Sequence, residues 1–264
     1  GWKLVGVGAS TTKQYNPGAV ANTVPQRGDT PSGTRFMTTE SLPVLAILGG
    51  TGDLGTGLAR RWAQAGYEVI IGSRTQEKAE AAVADLREVM AERGVSEITV
   101  QAKENLAAAE AADIVTLTVP FSHQSSTLEV VKSALQDKIL IDVTVPLVPP
   151  KVARVQLPPQ GSAGQIAQEL LGEEVAVVSA FQNVAAAHLQ EGRGVDCDVL
   201  VSGNKKAARE EVIKLVEAAG MRGFHAGMIN NAAAAEALTS VLITINKQYG
   251  CHAGITISGL DDAG

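Results

Sequence analysis

The sequence predicts an α/β fold built on a doubly wound, Rossmann-type parallel sheet, and three observations carry that prediction. From Leu42 onward, short apolar runs alternate with stretches of helical periodicity. A glycine-rich turn, "GGTGDLG", joins the first apolar run to the first helix-like stretch. The helical stretches are long enough to be crossovers, and a crossover places consecutive strands parallel.

The elements follow in order. "PVLAILG" is a short buried strand, and Leu54 to Ala65 carries Leu54, Leu58 and Trp62 at helical spacing. "YEVIIGS" is a second strand. A long helix, "TQEKAEAAVADLREVMAERG", has Thr75 as N-cap and Glu77 where the helix dipole favours an acid. "EITVQA" is a third strand, Asn105 to Ala111 a short helix, and "DIVTLTVP" a fourth strand. His123 to Leu135 reads as one helix, with "KILIDVTV" and "EVAVVSAF" as the fifth and sixth strands. Between those two strands "PLVPPKVARVQLPPQGSAGQ" reads as a long ordered loop, of the kind that is often functional. "CDVLVSGN", a helix from Lys205 to Ala219 and "GMRGFHAG" continue the alternation. The chain closes on a long, mostly apolar helix, "NNAAAAEALTSVLITINKQYG", which predicts burial, including against another subunit.

This organisation gives a Rossmann domain over residues 42–181 and a smaller C-terminal α/β portion over 182–264, ending in the long apolar helix. Residues 1–41 read as a flexible leader, rich in Gly, Ser, Thr, Pro and Asn up to residue 36. It is either a disordered extension or sequence upstream of a start at Met37, the first methionine.

Composition narrows the function. Of 264 residues 45% are apolar but only 3% aromatic, so the core is aliphatic. A net charge of −6 argues against nucleic acid or an anionic membrane as partner. No apolar run reaches the ~20 residues of a bilayer span. Cys197 and Cys251 are too few for a disulfide framework or a thiolate metal site, which points to the cytoplasm. Neither Cys251 nor His252 has metal-like companions, so no metal site is expected.

Gly50-Thr51-Gly52-Asp53-Leu54-Gly55 fits G-x-G-x-x-G in the strand–turn–helix context that a dinucleotide requires. Gly50 permits the tight turn, Gly52 admits a pyrophosphate, and Gly55 lets helix and strand pack closely. The first helical turn offers free N–H groups to the anion. A ligand-free turn is the plain alternative. At the end of the second strand an NAD site usually carries an acid. Here stand Ser73 and Arg74, with Lys78 one turn later and Thr51 in the loop, a set that suits the 2′-phosphate of NADP. The competing explanation is that Arg74 and Lys78 decorate a solvated helix start.

With those motifs in hand, the sequence resembles the NADPH-dependent reductases of the deazaflavin coenzyme F420. The resemblance runs from about Val44 to Ile257. It rests on "GGTGDLGTGLA", "IGSRTQEKAE", "ADIVTLTVPFSH", "GSAGQIA", "VVSAFQNV", "DVLVSG" and "EALTSVLITINKQYGCHAG". It implies that Thr51, Ser73, Arg74 and Lys78 bind the 2′-phosphate end. It also implies that Thr118, Val119, Pro120 and His123 lie along the ribose and nicotinamide, and that Val184 and Ala186 sit where the deazaflavin stacks. Ser162, Ala163 and the last helix help form that pocket. The sequence departs from the family at Gln182 or Asn183, where His is frequent, and at Phe121, where Trp is frequent.

Hydride exchange between a deazaflavin carbon and nicotinamide C4 needs two stacked rings about 3–3.5 Å apart. It needs no metal and no nucleophile, so no catalytic side chain is assigned. His123, at the end of the fourth strand, either touches the ribose or nicotinamide or faces solvent. Lys151, Arg154 and Arg193 are basic candidates for the acidic tail of the deazaflavin. The expected activity is hydride transfer between NADP(H) and F420 in a cytoplasmic homodimer or homotetramer. The alternatives are an NADPH-dependent reductase of an imine, keto acid or flavin/ferric iron, and a non-catalytic NADP-sensing module. Reductases of keto acids and imines usually need a poised proton donor, and none stands out.

Overall fold

Every side chain of the first strand, Leu45–Leu48 (β1), is buried, because helices cover both faces of a parallel sheet. The computed structural model describes residues 41–95, 97–191 and 195–259. The expected leader, up to residue 40, therefore lies outside the described residues.

After β1 come α1 (Asp53–Gln64), β2 (Val69–Ser73), α2 (Gln76–Glu92), β3 (Val100–Glu104), α3 (Asn105–Ala111) and β4 (Ile114–Leu117). Then follow α4 (Gln124–Val131), β5 (Ile139–Asp142), α5 (Ala163–Leu171), β6 (Ala176–Ser179) and α6 (Ala186–Gln190). The chain continues through β7 (Asp198–Gly203), α7 (Lys206–Ala218), β8 (Arg222–Gly227) and α8 (Ala232–Tyr249).

One eight-stranded sheet runs in the order β3-β2-β1-β4-β5-β6-β7-β8. β1 pairs with β2 on one side and β4 on the other, Leu45 standing opposite both Val69 and Ile114. The chain winds outward to β3, then returns across β1 to β4. That reversal leaves a crevice at the carboxyl ends of β1 and β4, where open α/β sheets bind ligands.

Strand alternation sorts the core into two layers. Leu45, Ile47, Val69 and Ile71 face Leu58, Trp62, Leu86 and Met90 on α1 and α2. Ala46, Leu48, Val115 and Leu117 face Leu128, Leu135 and Ala167 on the other side.

The structure corrects several expectations. The sheet is not parallel throughout: β7 runs antiparallel to β6, with Ser179 opposite Ser202. No full crossover separates them. The chain leaves β6, forms the five-residue α6 and turns back at the same end of the sheet, and antiparallel neighbours need no more than that. The sheet thus continues from β6 into β7 and β8. The third strand begins at Val100 rather than Glu97. The helix expected over His123 to Leu135 is α4 flanked by short 3₁₀ turns at Phe121–His123 and Lys132–Leu135. Thr75 occupies the N-cap of α2, but its side chain makes no capping bond.

α5 begins in the last three residues of the proline-rich stretch, at Ala163. Ser162 caps it by accepting a hydrogen bond from the Gln165 N–H at 3.0 Å. α8 is eighteen residues long, and its buried positions are Ala232, Ala235, Glu236, Ser240 and Leu242. Its buried face is therefore mixed, not uniformly apolar. Among the described residues no helix is long and apolar enough to cross a membrane.

Candidate functional site

The glycine turn after β1 is shaped by contacts that a side chain would break. Gly49, not Gly50, takes the left-handed conformation, with φ of 67°. A Cβ on Gly50 would stand 2.7 Å from the carbonyl oxygen of Ile47. A Cβ on Gly55 would meet the Cα of Gly50 at 2.7 Å and the Thr118 hydroxyl at 2.9 Å. Around Gly52, by contrast, a Cβ would meet nothing within 4 Å. Gly52 is the N-cap of α1 and has no side chain to cap it, so the first-turn N–H groups are left for an anion arriving over open space. Asp53 and Leu54 form that first turn, with Asp53 exposed and Leu54 half-buried. The cradle fits a pyrophosphate.

Gly49, Thr51, Ser73, Arg74, Lys78, Asn105, Val119, Pro120 and His123 line one cleft of about 400 Å³. The structure thus brings Thr51, Ser73, Arg74 and Lys78 together, as the 2′-phosphate expectation requires. Ser73 is buried while Arg74 and Lys78 project from the surface at the start of α2. Asn105 was not anticipated. Its Oδ1 accepts the Gly49 N–H at 3.2 Å, pinning the left-handed residue to the start of α3. Glu104 stands opposite Ser73 in register and, with Arg74, lines an adjoining cleft.

Thr118 lies beneath this cleft: its backbone N–H and hydroxyl both donate to the Leu48 carbonyl at 3.0 Å, tying β4 to β1. Val119 and Pro120 form the floor beyond it, and exposed His123 closes the 3₁₀ turn that follows. Phe121, the first residue of that turn, is half-buried.

Val184 and Ala186 lie beyond the end of β6, half-buried and outside the lining of that cleft. The chain reaches them through Phe181, which holds φ of 71° with its ring buried edge-on against Trp62, centroids 6.1 Å apart. A bulky residue in that region is strained and persists only where packing over-determines it. Gln182 and Asn183, the departures noted in the sequence, point inward. Gln182 Nε2 donates to the Asp142 carbonyl at 2.8 Å, and Asn183 Nδ2 donates to the Ala235 carbonyl at 2.8 Å. The Gln182 side chain ties the segment after β6 to the end of β5, and that of Asn183 ties it to α8.

Two buried carboxyls nearby escaped the sequence reading. Asp142, at the end of β5, accepts from Gln124 Nε2 at 2.6 Å and from the Thr144 N–H at 2.9 Å. Burial pushes it up to about 6. Glu236, only 1% exposed, accepts the N–H groups of Ala163 and Gly164 at 2.7 and 3.0 Å. Burial pushes it up to about 8, against those two hydrogen bonds. The available signals were an acid closing an apolar strand and a lone acid within an apolar helical run.

Lys151 and Arg154 lie in the 143–162 loop, and Arg193 lies outside the described residues. Cys251 and His252 are exposed, the His252 carbonyl meeting His188 Nε2 at 2.8 Å. Among the described residues no His, Cys, Asp and Glu cluster could hold a metal.

The family described as NADP oxidoreductase, coenzyme F420-dependent, matches residues 44–146. The F420-dependent NADP reductase of Methanocaldococcus jannaschii is 40% identical over 223 residues, 82% of this chain and 99% of that protein. Its namesake from Methanothermobacter thermautotrophicus is 40% identical over 225 residues, covering 83% of this chain and 96% of that protein. A crystal structure from Arthrobacter sp. FB24, described as an F420-dependent NADP-reductase, superposes with a TM-score of 0.68 at 28% identity. It covers 81% of this chain and all of that one. With 40% identity sustained across almost the whole of its relatives, the chain belongs to the F420-dependent NADP reductase family.

Proposed function

We propose that this protein transfers a hydride between NADP(H) and coenzyme F420, with the dinucleotide bound across β1 and β4 and its 2′-phosphate held by Thr51, Ser73, Arg74 and Lys78. The observation that carries the site assignment is the convergence of those four side chains on the cleft that the glycine turn opens. The pyrophosphate takes the first-turn N–H groups of α1. Val119, Pro120 and His123 direct the nicotinamide toward the ends of β5 and β6. There Val184 and Ala186, small and half-buried, leave room for a second flat ring at stacking distance. The deazaflavin supplies the hydride-accepting carbon; the chain binds, orients and excludes water.

The same reading assigns the C-terminal portion, residues 182–264, to the deazaflavin pocket and, through the exposed apolar residues Met228 and Val241, to a homodimer or homotetramer contact. It places the protein in the cytoplasm, in keeping with two free cysteines.

The experiment follows the visible absorbance of oxidised F420 on mixing with NADPH or NADH. Bleaching by NADPH and little by NADH is expected. Equal bleaching by both overturns the phosphate site and keeps the enzyme. Tight NADPH binding without bleaching moves the reading to another acceptor or to a sensing module. A light-scattering mass across a dilution series tests the oligomer, and a monomer at all concentrations removes that part.

A further inference from the structure

α8 bonds to both segments that flank the ends of β5 and β6. On one side, Ser240 Oγ donates to the Val152 carbonyl at 2.9 Å, gripping the middle of the proline-rich loop. On the other, the Thr239 hydroxyl donates to the Gln182 carbonyl at 2.9 Å, and Ala235 receives Asn183. Between these grips Glu236 reaches across to the first turn of α5, where the loop ends. Both of its oxygens are engaged by backbone N–H groups, at 2.7 and 3.0 Å. A carboxyl so deeply buried is costly to place, and an apolar residue could pack there with less penalty. What the carboxyl alone provides is two acceptors on one rigid group, fixing helix against helix at two points.

In the proposed reading, the two segments tied together flank the nicotinamide end. One wall is the 143–162 loop with the start of α5; the other is the 182–186 segment. Hydride transfer tolerates little error in ring separation, since a displacement of about 1 Å can cost on the order of a hundredfold in rate.

We propose that Glu236 is a positioning residue for the hydride acceptor: by clamping the N-terminus of α5 to α8 it sets the gap between the loop wall and the 182–186 wall. The inference rests on the proposed F420 reading of this end of the cleft. Glu236 touches neither substrate in this scheme and moves no proton.

The experiment compares wild type with Glu236→Gln and Glu236→Ala in the full chain. Three quantities are measured: the NADPH dissociation constant by fluorescence, the steady-state constants with F420, and the isotope effect with NADPH deuterated at the transferred position. Glu236→Gln keeps one acceptor but sets an amide N–H against the second backbone donor. The expected result is NADPH binding within twofold of wild type. Alongside it, kcat falls or the F420 KM rises by about tenfold, and the isotope effect grows as the hydride step becomes slower. Unchanged kinetics, or NADPH binding weakened in step with turnover, overturns the proposal, and so does a slower enzyme with an unchanged isotope effect. Where Glu236→Ala fails to fold, Glu236→Gln still decides. A wild type that binds NADPH but does not reduce F420 defeats the functional reading itself, a result visible before any variant is made.

Discussion

Gly55, in the first turn of α1, lies so close to Gly50 that a Cβ added to it would stand 2.7 Å from the Gly50 Cα. The opposing atom is backbone, which cannot swing aside. Gly55→Ala therefore pushes α1 away from the turn and misaims its N–H groups. Overpacking of this kind costs about 1–3 kcal/mol. NADPH titration of the variant is expected to show at least tenfold weaker binding, with helical content retained by circular dichroism. Wild-type affinity would show that the turn can yield.

Arg74 and Lys78 are the cations at the cleft that holds Ser73 and Thr51. A hydrogen bond to a charged group is worth about 1.5–3 kcal/mol. Arg74→Ala is expected to raise the NADPH KM by roughly ten- to a hundredfold and to leave the NADH KM within a few fold. A parallel loss with both dinucleotides would remove the 2′-phosphate assignment.

Glu104 faces Ser73 across the strands and puts a carboxylate beside the proposed 2′-phosphate site. Glu104 is exposed, and through bulk water its repulsion of a phosphate charge several ångströms away is about 0.5 kcal/mol. Glu104→Gln is expected to lower the NADPH KM about two- to threefold without changing that for NADH. The ratio of the two constants, measured at low salt, is the readout.

Phe181 pairs left-handed backbone with a fully buried ring against Trp62. Trp62 is itself held by its Nε1 donating to the Leu215 carbonyl at 2.8 Å. Phe181→Ala keeps the strained backbone and loses the ring that holds it. A destabilisation of about 3–5 kcal/mol is expected from urea unfolding. A loss under 1 kcal/mol would mean that the strain is carried elsewhere.

Asp142 and Glu236 are both raised in the folded protein, from 3.8 to about 6 and from 4.5 to about 8. The folded state then keeps protons that the unfolded chain releases. Their contribution to stability is complete below the unfolded values and is lost as pH rises through the folded ones. The urea midpoint is expected to fall between pH ~5 and ~8, over the window that those shifts define. Glu236→Gln, which cannot titrate, is expected to flatten the decline. A wild-type midpoint that climbs over this range contradicts the assignment.

Much of this protein was legible in one dimension because its signals are local. Apolar runs of strand length, helical spacing over α1 and α2, and glycines where backbone must approach backbone need only neighbours in the chain to be read. The set proposed for the 2′-phosphate was legible too, because a hydroxyl and a guanidinium follow directly where an NAD site would place an acid. The tertiary structure decided the rest. That β7 runs against β6 depends on where the chain turns after Phe181, not on any strand's own pattern. That Gln182 and Asn183 point inward, and that Glu236 is buried, depends on partners 40 or more positions distant: Asp142 for Gln182, Ala235 for Asn183, Ala163 for Glu236. Asp142 is buried on Gln124, 18 positions away. A side chain's polarity is written in the sequence, but the acceptor or donor that permits its burial arrives only when distant segments meet.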